Sequence, residues 1–191
     1  MVSNLARFFE SAVNAPHKVL GRNLKPFSLL HYLWLEHVES PFVHTDKPIS
    51  RADVELAVLI CSCDSSNAIQ ARLKSSQSWV SRILAAWFRR KGNLKTDVAS
   101  FLTYHEDYFC PPEYITKKDG TFYVENIPWL LNLATYIIRE TGWSEETVWT
   151  MPLGKLFWYD ASLRYLKSGE AHIVTDAERA AEEALTAGGA K

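Results

Sequence analysis

The sequence predicts a mainly α-helical fold, a single compact helical domain with a small β-hairpin insertion and a mobile C-terminal helix. Three observations predict it. Apolar residues recur at spacings of three and four through most of the chain; the recurring stretches are bounded by Pro, Gly and Ser/Thr/Asp cap residues; and the hairpin signal is confined to the surroundings of Lys118-Asp119-Gly120-Thr121. A chain of 191 residues buries roughly 70% of its unfolded surface on folding, enough for a core without disulfides or metals. Hydrophobic residues at 47% and aromatics at 13% exclude the polar composition of a disordered protein.

Taken in order, Ser3 to Asn14 reads as an opening helix with Leu5, Phe8, Phe9 and Val13 on one side, ended by Asn14-Ala15-Pro16. After a turn at Gly21, Lys25-Pro26-Phe27 is expected to open a second helix running to about Glu39, because Pro is tolerated in a first turn and Ser40-Pro41 ends the run. Its apolar residues, Phe27 through Val38, cover nearly the whole circumference, which predicts a central helix. Histidines 31 and 37 on it are assigned to packing. Ser50 with Asp53 forms a capping pair before the apolar run Val54 to Cys61, expected to pack on the previous helix. Trp79, Val80, Ile83, Leu84, Trp87 and Phe88 then recur along one helical face up to Gly92.

Thr96 or Asp97 is expected to start the next helix, with Val98, Phe101, Leu102 and His105 inward and Cys110-Pro111-Pro112 as the stop. The hairpin is placed near residues 113–125, where Asp119-Gly120 favours a tight turn. Pro128 begins a helix that Gly142 closes as a left-handed cap, and Ser144 caps a short turn. From Pro152 the stripe Leu156, Tyr159, Leu163, Leu166 runs to about Gly169. The domain is drawn at residues 1–170. Residues 171–191 form the appendage, a charged, alanine-rich helix opened by Thr175-Asp176 and a frayed tail.

Charge narrows function. With 21 basic and 22 acidic residues the formal net charge is -1, so a nucleic-acid or polyanion partner has no global electrostatic basis and needs a local patch. The stretch from Arg72 to Lys95 supplies one, with Arg82, Arg89, Arg90 and Lys91 among bases that no acid interrupts. Its tryptophans share the apolar face with Ile83 and Leu84, so a solvated face is the preferred reading and a regulator binding nucleic acid through 72–95 is a minor alternative. Histidine, glutamate and aspartate at 105–107, and Cys61, Cys63 and Cys110 with His105, are the candidates for catalysis and for zinc. Neither has a working spacing: zinc sites pair cysteines as C-x2-C, and adjacent helical residues point apart. No catalytic residue, cofactor or metal is therefore expected, nor a membrane span, and the odd cysteine count with no secretory core favours a reducing cytoplasm.

Two segments carry a family resemblance. Leu20-Gly21-Arg22-Asn23-Leu24-Lys25-Pro26-Phe27-Ser28-Leu29-Leu30-His31, continuing to Glu39-Ser40-Pro41-Phe42, and Gly142-Trp143 followed by Trp149-Thr150-Met151-Pro152-Leu153 resemble tail assembly proteins of tailed phages and prophages. The match covers about half of the chain, and the basic stretch and the hairpin stand outside it. The resemblance implies a helical, non-enzymatic chaperone that holds the tape measure protein or another tail component in the host cytoplasm. The alternative it leaves is a structural virion component, a head-tail connector or completion protein. A protein partner is expected, and assembly of identical copies is left open. The residues singled out for partner contact are Phe8, Phe9, Arg82, Arg89, Arg90, Lys91, Ala181 and Leu185.

Overall fold

The helices start and stop at caps that the local sequence supplies. The computed structural model describes residues 8, 17–44, 47–76, 93–109, 111–112, 114–116, 127–168, 171–175, 177–178, 180–181 and 184–185. Among them run β1 (Lys18–Val19), β2 (Arg22–Asn23), α1 (Leu29–His37), α2 (Arg51–Cys61), α3 (Ser66–Ser76), α4 (Leu94–Tyr108), β3 (Tyr114–Thr116), α5 (Trp129–Thr141), α6 (Glu145–Thr150), α7 (Leu153–Ser168) and β4 (Ala171–Ile173). The fold is mainly α, as expected. No helix among the described residues is long and apolar enough to cross a membrane.

Ser50 caps α2 as the sequence predicts: its N–H donates to the Asp53 carboxylate at 2.8 Å, and its Oγ accepts from the Asp53 N–H at 3.4 Å. Ser144 accepts from the Thr147 N–H in front of α6, and Gly142 ends α5 with φ 70°. Two starts differ from expectation. The α4 helix begins at Leu94, capped by Asn93 accepting from the Lys95 N–H, because an Asn side chain earlier in the chain satisfies the free amide first. The α1 helix begins only at Leu29, leaving Lys25, Pro26 and Phe27 outside it as an extended strap. That strap is occupied by hydrogen bonds to other elements, which a first helical turn would forfeit.

The strap is preceded by a hairpin absent from the sequence reading. Leu20 and Gly21 both take positive φ, 50° and 74°, the two-residue turn that matches strand twist, and Val19 of β1 faces the core. A second non-glycine residue with positive φ, Glu39 at 50°, closes α1. Its N–H reaches the Glu36 carbonyl and the Ser40 N–H reaches that of Leu35, the paired bonds of a Schellman cap with glutamate where glycine is usual.

Helix α1 lies between two groups of elements, packing against α2 on one side and α6 on the other. The first group is completed by α3 and α4 against α2, the second by α7 and α6 against α5. Leu29, His31 and Leu35 are buried between them, whereas Leu33 is 43% exposed, so α1 is central but open along its third side. On α4 the inward residues are Phe101, Tyr104 and Tyr108, and Leu102 points out. The α7 stripe is buried at Leu156 but ends in exposed Leu166.

Strand β3 falls where the sequence placed a hairpin, and its antiparallel partner among the described residues is β4, with Ile115 opposite His172. Residues 117–126, including the Asp119-Gly120 turn, lie outside the described residues, as do 77–92 and most of 1–16. The C-terminal segment thus begins as a strand along α7, with Val174 buried behind it. Thr175 then opens the expected helix, its N–H donating to Glu178 at 2.8 Å and its Oγ1 accepting from the Glu178 N–H.

Gly142→Ala tests the left-handed cap. No atom lies within 4 Å of the added Cβ, so the cost is conformational alone and should lower unfolding stability by about 1 kcal/mol in urea titration, with an unchanged m-value.

Candidate functional site

A dense polar arrangement surrounds the strap from Leu24 to Ser28. Here an extended backbone has no neighbouring ladder, so its buried N–H and C=O groups need partners from elsewhere. The Lys25 N–H donates to the Cys61 carbonyl at 2.8 Å, and the Lys25 carbonyl accepts from the Tyr104 hydroxyl at 2.8 Å. The Phe27 carbonyl accepts from the Leu153 N–H at 2.7 Å, and Ser28 bridges Pro152. The C-terminal end of α2, the middle of α4 and the start of α7 are therefore all fastened to the same few residues.

His31 completes the arrangement. An amide N–H can only donate, so the 3.2 Å contact from the Ser28 N–H makes the His31 Nδ1 an acceptor. The proton then sits on Nε2, which donates to the Cys63 carbonyl at 2.8 Å. His31 stands where a capping box usually carries Glu or Gln, and the hydroxyl of Ser28 lies 3.1 Å from the same Nδ1. Burial lowers its pKa, against the Cys63 and Pro26 carbonyls and the more distant Asp64 carboxylate, which favour the charged ring.

Burial favours the neutral form of the other titratable groups here as well. Burial pushes the Cys61 thiol well above its ordinary range despite a hydrogen bond with Tyr104, and burial does the same to the Tyr104 phenol. Burial lowers His105, whose ring meets Phe27 edge-on at 4.9 Å and stacks on Phe109 at 5.3 Å. Burial favours the protonated thiol and phenol, and in this cluster the hydrogen bonds of Tyr104 and His31 go to the chain's own backbone. At its edge His17 pairs with Asp107 at 3.1 Å and packs edge-on against Tyr104 and Tyr108.

A second polar cluster joins α5 to α7. Arg164 Nε donates to both oxygens of buried Asp160 at 2.9 Å, and its guanidinium lies 5.1 Å from the centre of the Tyr136 ring. Burial raises the Asp160 pKa against the opposing pull of Arg164. Glu140 on α5 meets Arg139 at 2.9 Å and pairs with Lys167 of α7. These residues escaped the sequence reading; the available signal was Asp160 four residues before Arg164, the spacing of a helical ion pair.

Of the residues singled out for partner contact, Phe8 packs edge-on against Trp158 of α7 at 5.7 Å, so that side chain covers the domain itself. Ala181 and Leu185 are exposed, Leu185 by 77%. Phe9, Arg82, Arg89, Arg90 and Lys91 lie outside the described residues, as does Cys110. Arg72, Lys74 and Lys95, at the margins of the basic stretch, are exposed. Among the described residues no three His, Cys, Asp or Glu side chains are grouped to hold a metal ion. The chain matches no known protein family, no curated protein and no solved structure.

Tyr104→Phe strips the strap carbonyl of its donor without changing ring packing. It should lower stability by about 2 kcal/mol in denaturant unfolding, since a buried acceptor is left unmet. In the native protein Cys61 and Cys63, both buried, should resist iodoacetamide and become alkylated only as denaturant unfolds the chain, read by peptide mass mapping.

Proposed function

We propose that this chain is a non-enzymatic assembly protein, most concretely a tail assembly chaperone of tailed phages that holds the tape measure or another tail component. The observation that carries the reading is apolar surface left open towards the C-terminal end. Tyr165 and Leu166 on the last turns of α7 are 54% and 77% exposed, and Leu185 on the final helical segment is 77% exposed. Ala177, Ala181 and Ala184 recur with Leu185 at spacings that share one helical face, and all are exposed. A helix of such composition is marginal alone and gains stability by lying against a partner's apolar helix.

The two segments that carry the family resemblance touch each other. The segment from Leu20 to Phe42 and the segment from Gly142 to Leu153 meet through the Leu153 N–H to Phe27 carbonyl bond and the Ser28–Pro152 bridge. The residues that carry the resemblance thus form one structural joint.

Co-expression with a phage tape measure protein tests the proposal. The tape measure should become soluble and co-purify with the wild-type chain, and Leu166→Glu with Leu185→Glu should abolish the complex while leaving the circular dichroism spectrum intact. Equal solubility without this chain, with no complex isolated, would end the reading.

A further inference from the structure

We propose that His31 is an acid-sensitive latch: its neutral ring pins the start of α1 and the strap to the turn after α2, and protonation of Nδ1 lets that end of the strap go. The inference concerns the fold itself and holds whatever the protein binds. Its basis is the geometry of donors and acceptors. Nδ1 accepts from the Ser28 N–H at 3.2 Å while Nε2 donates to the Cys63 carbonyl at 2.8 Å. A protonated imidazole carries hydrogen on both nitrogens, so Nδ1–H would face the Ser28 N–H, donor against donor; the Ser28 hydroxyl and the Pro26 carbonyl can accept the new hydrogen, but the Ser28 N–H loses its acceptor. Ser28 is only 1% exposed, which leaves its N–H no water to turn to.

The surroundings do little to welcome the charge. From the turn after α2, the Asp64 carboxylate favours protonation, but it is exposed and already meets Lys25 Nζ at 3.5 Å. The Cys63 and Pro26 carbonyls, both within hydrogen-bonding reach of the ring, and the Ser28 hydroxyl 3.1 Å from Nδ1 also favour the proton, but burial outweighs the carbonyls and lowers the pKa. On the α4 side, Phe27 separates His31 from Tyr104 and His105, the ring contacts being 6.0, 5.9 and 4.9 Å, and burial disfavours the charged form of both of those groups. From the α7 side the contact with Ser28 is the backbone of Pro152, which has no charge.

The direction with pH follows. The folded ring takes up its proton at a lower pH than the unfolded chain, whose histidine titrates near 6.5. The latch is therefore complete above that value and its contribution is lost as pH falls from 6.5 towards the folded ring's own pKa. Because Ser28 and Phe27 also hold Pro152 and Leu153, acid should loosen the joint between the two groups of helices.

Amide hydrogen exchange at Ser28 and Leu153, measured by NMR between pH 7.5 and 5 and corrected for intrinsic exchange rates, tests the latch. In the wild type the open fraction should rise with acid below 6.5 by up to about tenfold per pH unit, the limit for uptake of one proton. In His31→Gln it should stay flat, since a Gln carbonyl accepts the Ser28 N–H without titrating. A flat wild-type profile, or an undiminished acid response in His31→Gln, would overturn the proposal and hand any response to His105 or to the His17–Asp107 pair. Should His31→Gln not fold, ring 15N shifts of the wild type decide. The Nε2–H tautomer with a midpoint below 6.5 supports the latch, and the Nδ1–H tautomer or a midpoint at or above 6.5 refutes it.

Discussion

The backbone of the strap between Leu24 and Ser28 must find hydrogen-bond partners without belonging to a helix or a sheet, and the rest of the structure is arranged around that need. Its donors and acceptors are met by the Cys61 carbonyl, the Tyr104 hydroxyl and the Leu153 N–H, one from each of α2, α4 and α7. Phe27, fully buried at 0% exposure, fills the space those three helices leave. A polar segment in an apolar core is costly unless every group is satisfied, so these helices are fixed in position as well as attracted. Hydrophobic burial supplies the driving force; the strap selects which packing it drives towards.

Each group of helices has a brace of its own. Arg51 of α2 pairs with Asp97 of α4 and lies 3.6 Å from Glu55, all three groups only partly open to solvent. Across the molecule, Asp160, Arg164 and Tyr136, with Glu140 and Lys167, do the same for α5 and α7. Ion pairs taken from water contribute little net stability, but a charge left without its partner is penalised heavily. Such pairs therefore discriminate against sliding of one helix along the other, which purely apolar contacts tolerate.

Sequence patterns revealed what is decided within a few residues. The Ser50–Asp53 box and the Ser144 cap follow from side chains that meet their own helix end, the Gly142 cap and the start after Pro128 from the backbone preferences of those two residues, and all are present. Features decided across the chain were not legible. Pro26 and Phe27 read as a helix start because their true partners lie far away. Leu102 was given the inward position that belongs to Tyr104, since periodicity alone does not say which edge of an apolar stripe faces in. The pairing of β3 with β4 carried no local signal at all. For the site, the structural role of His31 was legible from its place on an apolar helix, whereas its part in the cap of α1 depended on that helix starting at Leu29.

The strap also bears on how the chain folds. Helices α2, α4 and α5 contain their own start and stop signals and can form from local contacts, but Tyr104 and Lys25 stand 79 residues apart. Closing a loop of that span loses chain entropy before any bond rewards it, so the strap's contacts are topologically more costly to form than the helices they join. A chain caught before they form would have most of its helical content and an unfilled seam where Phe27 belongs.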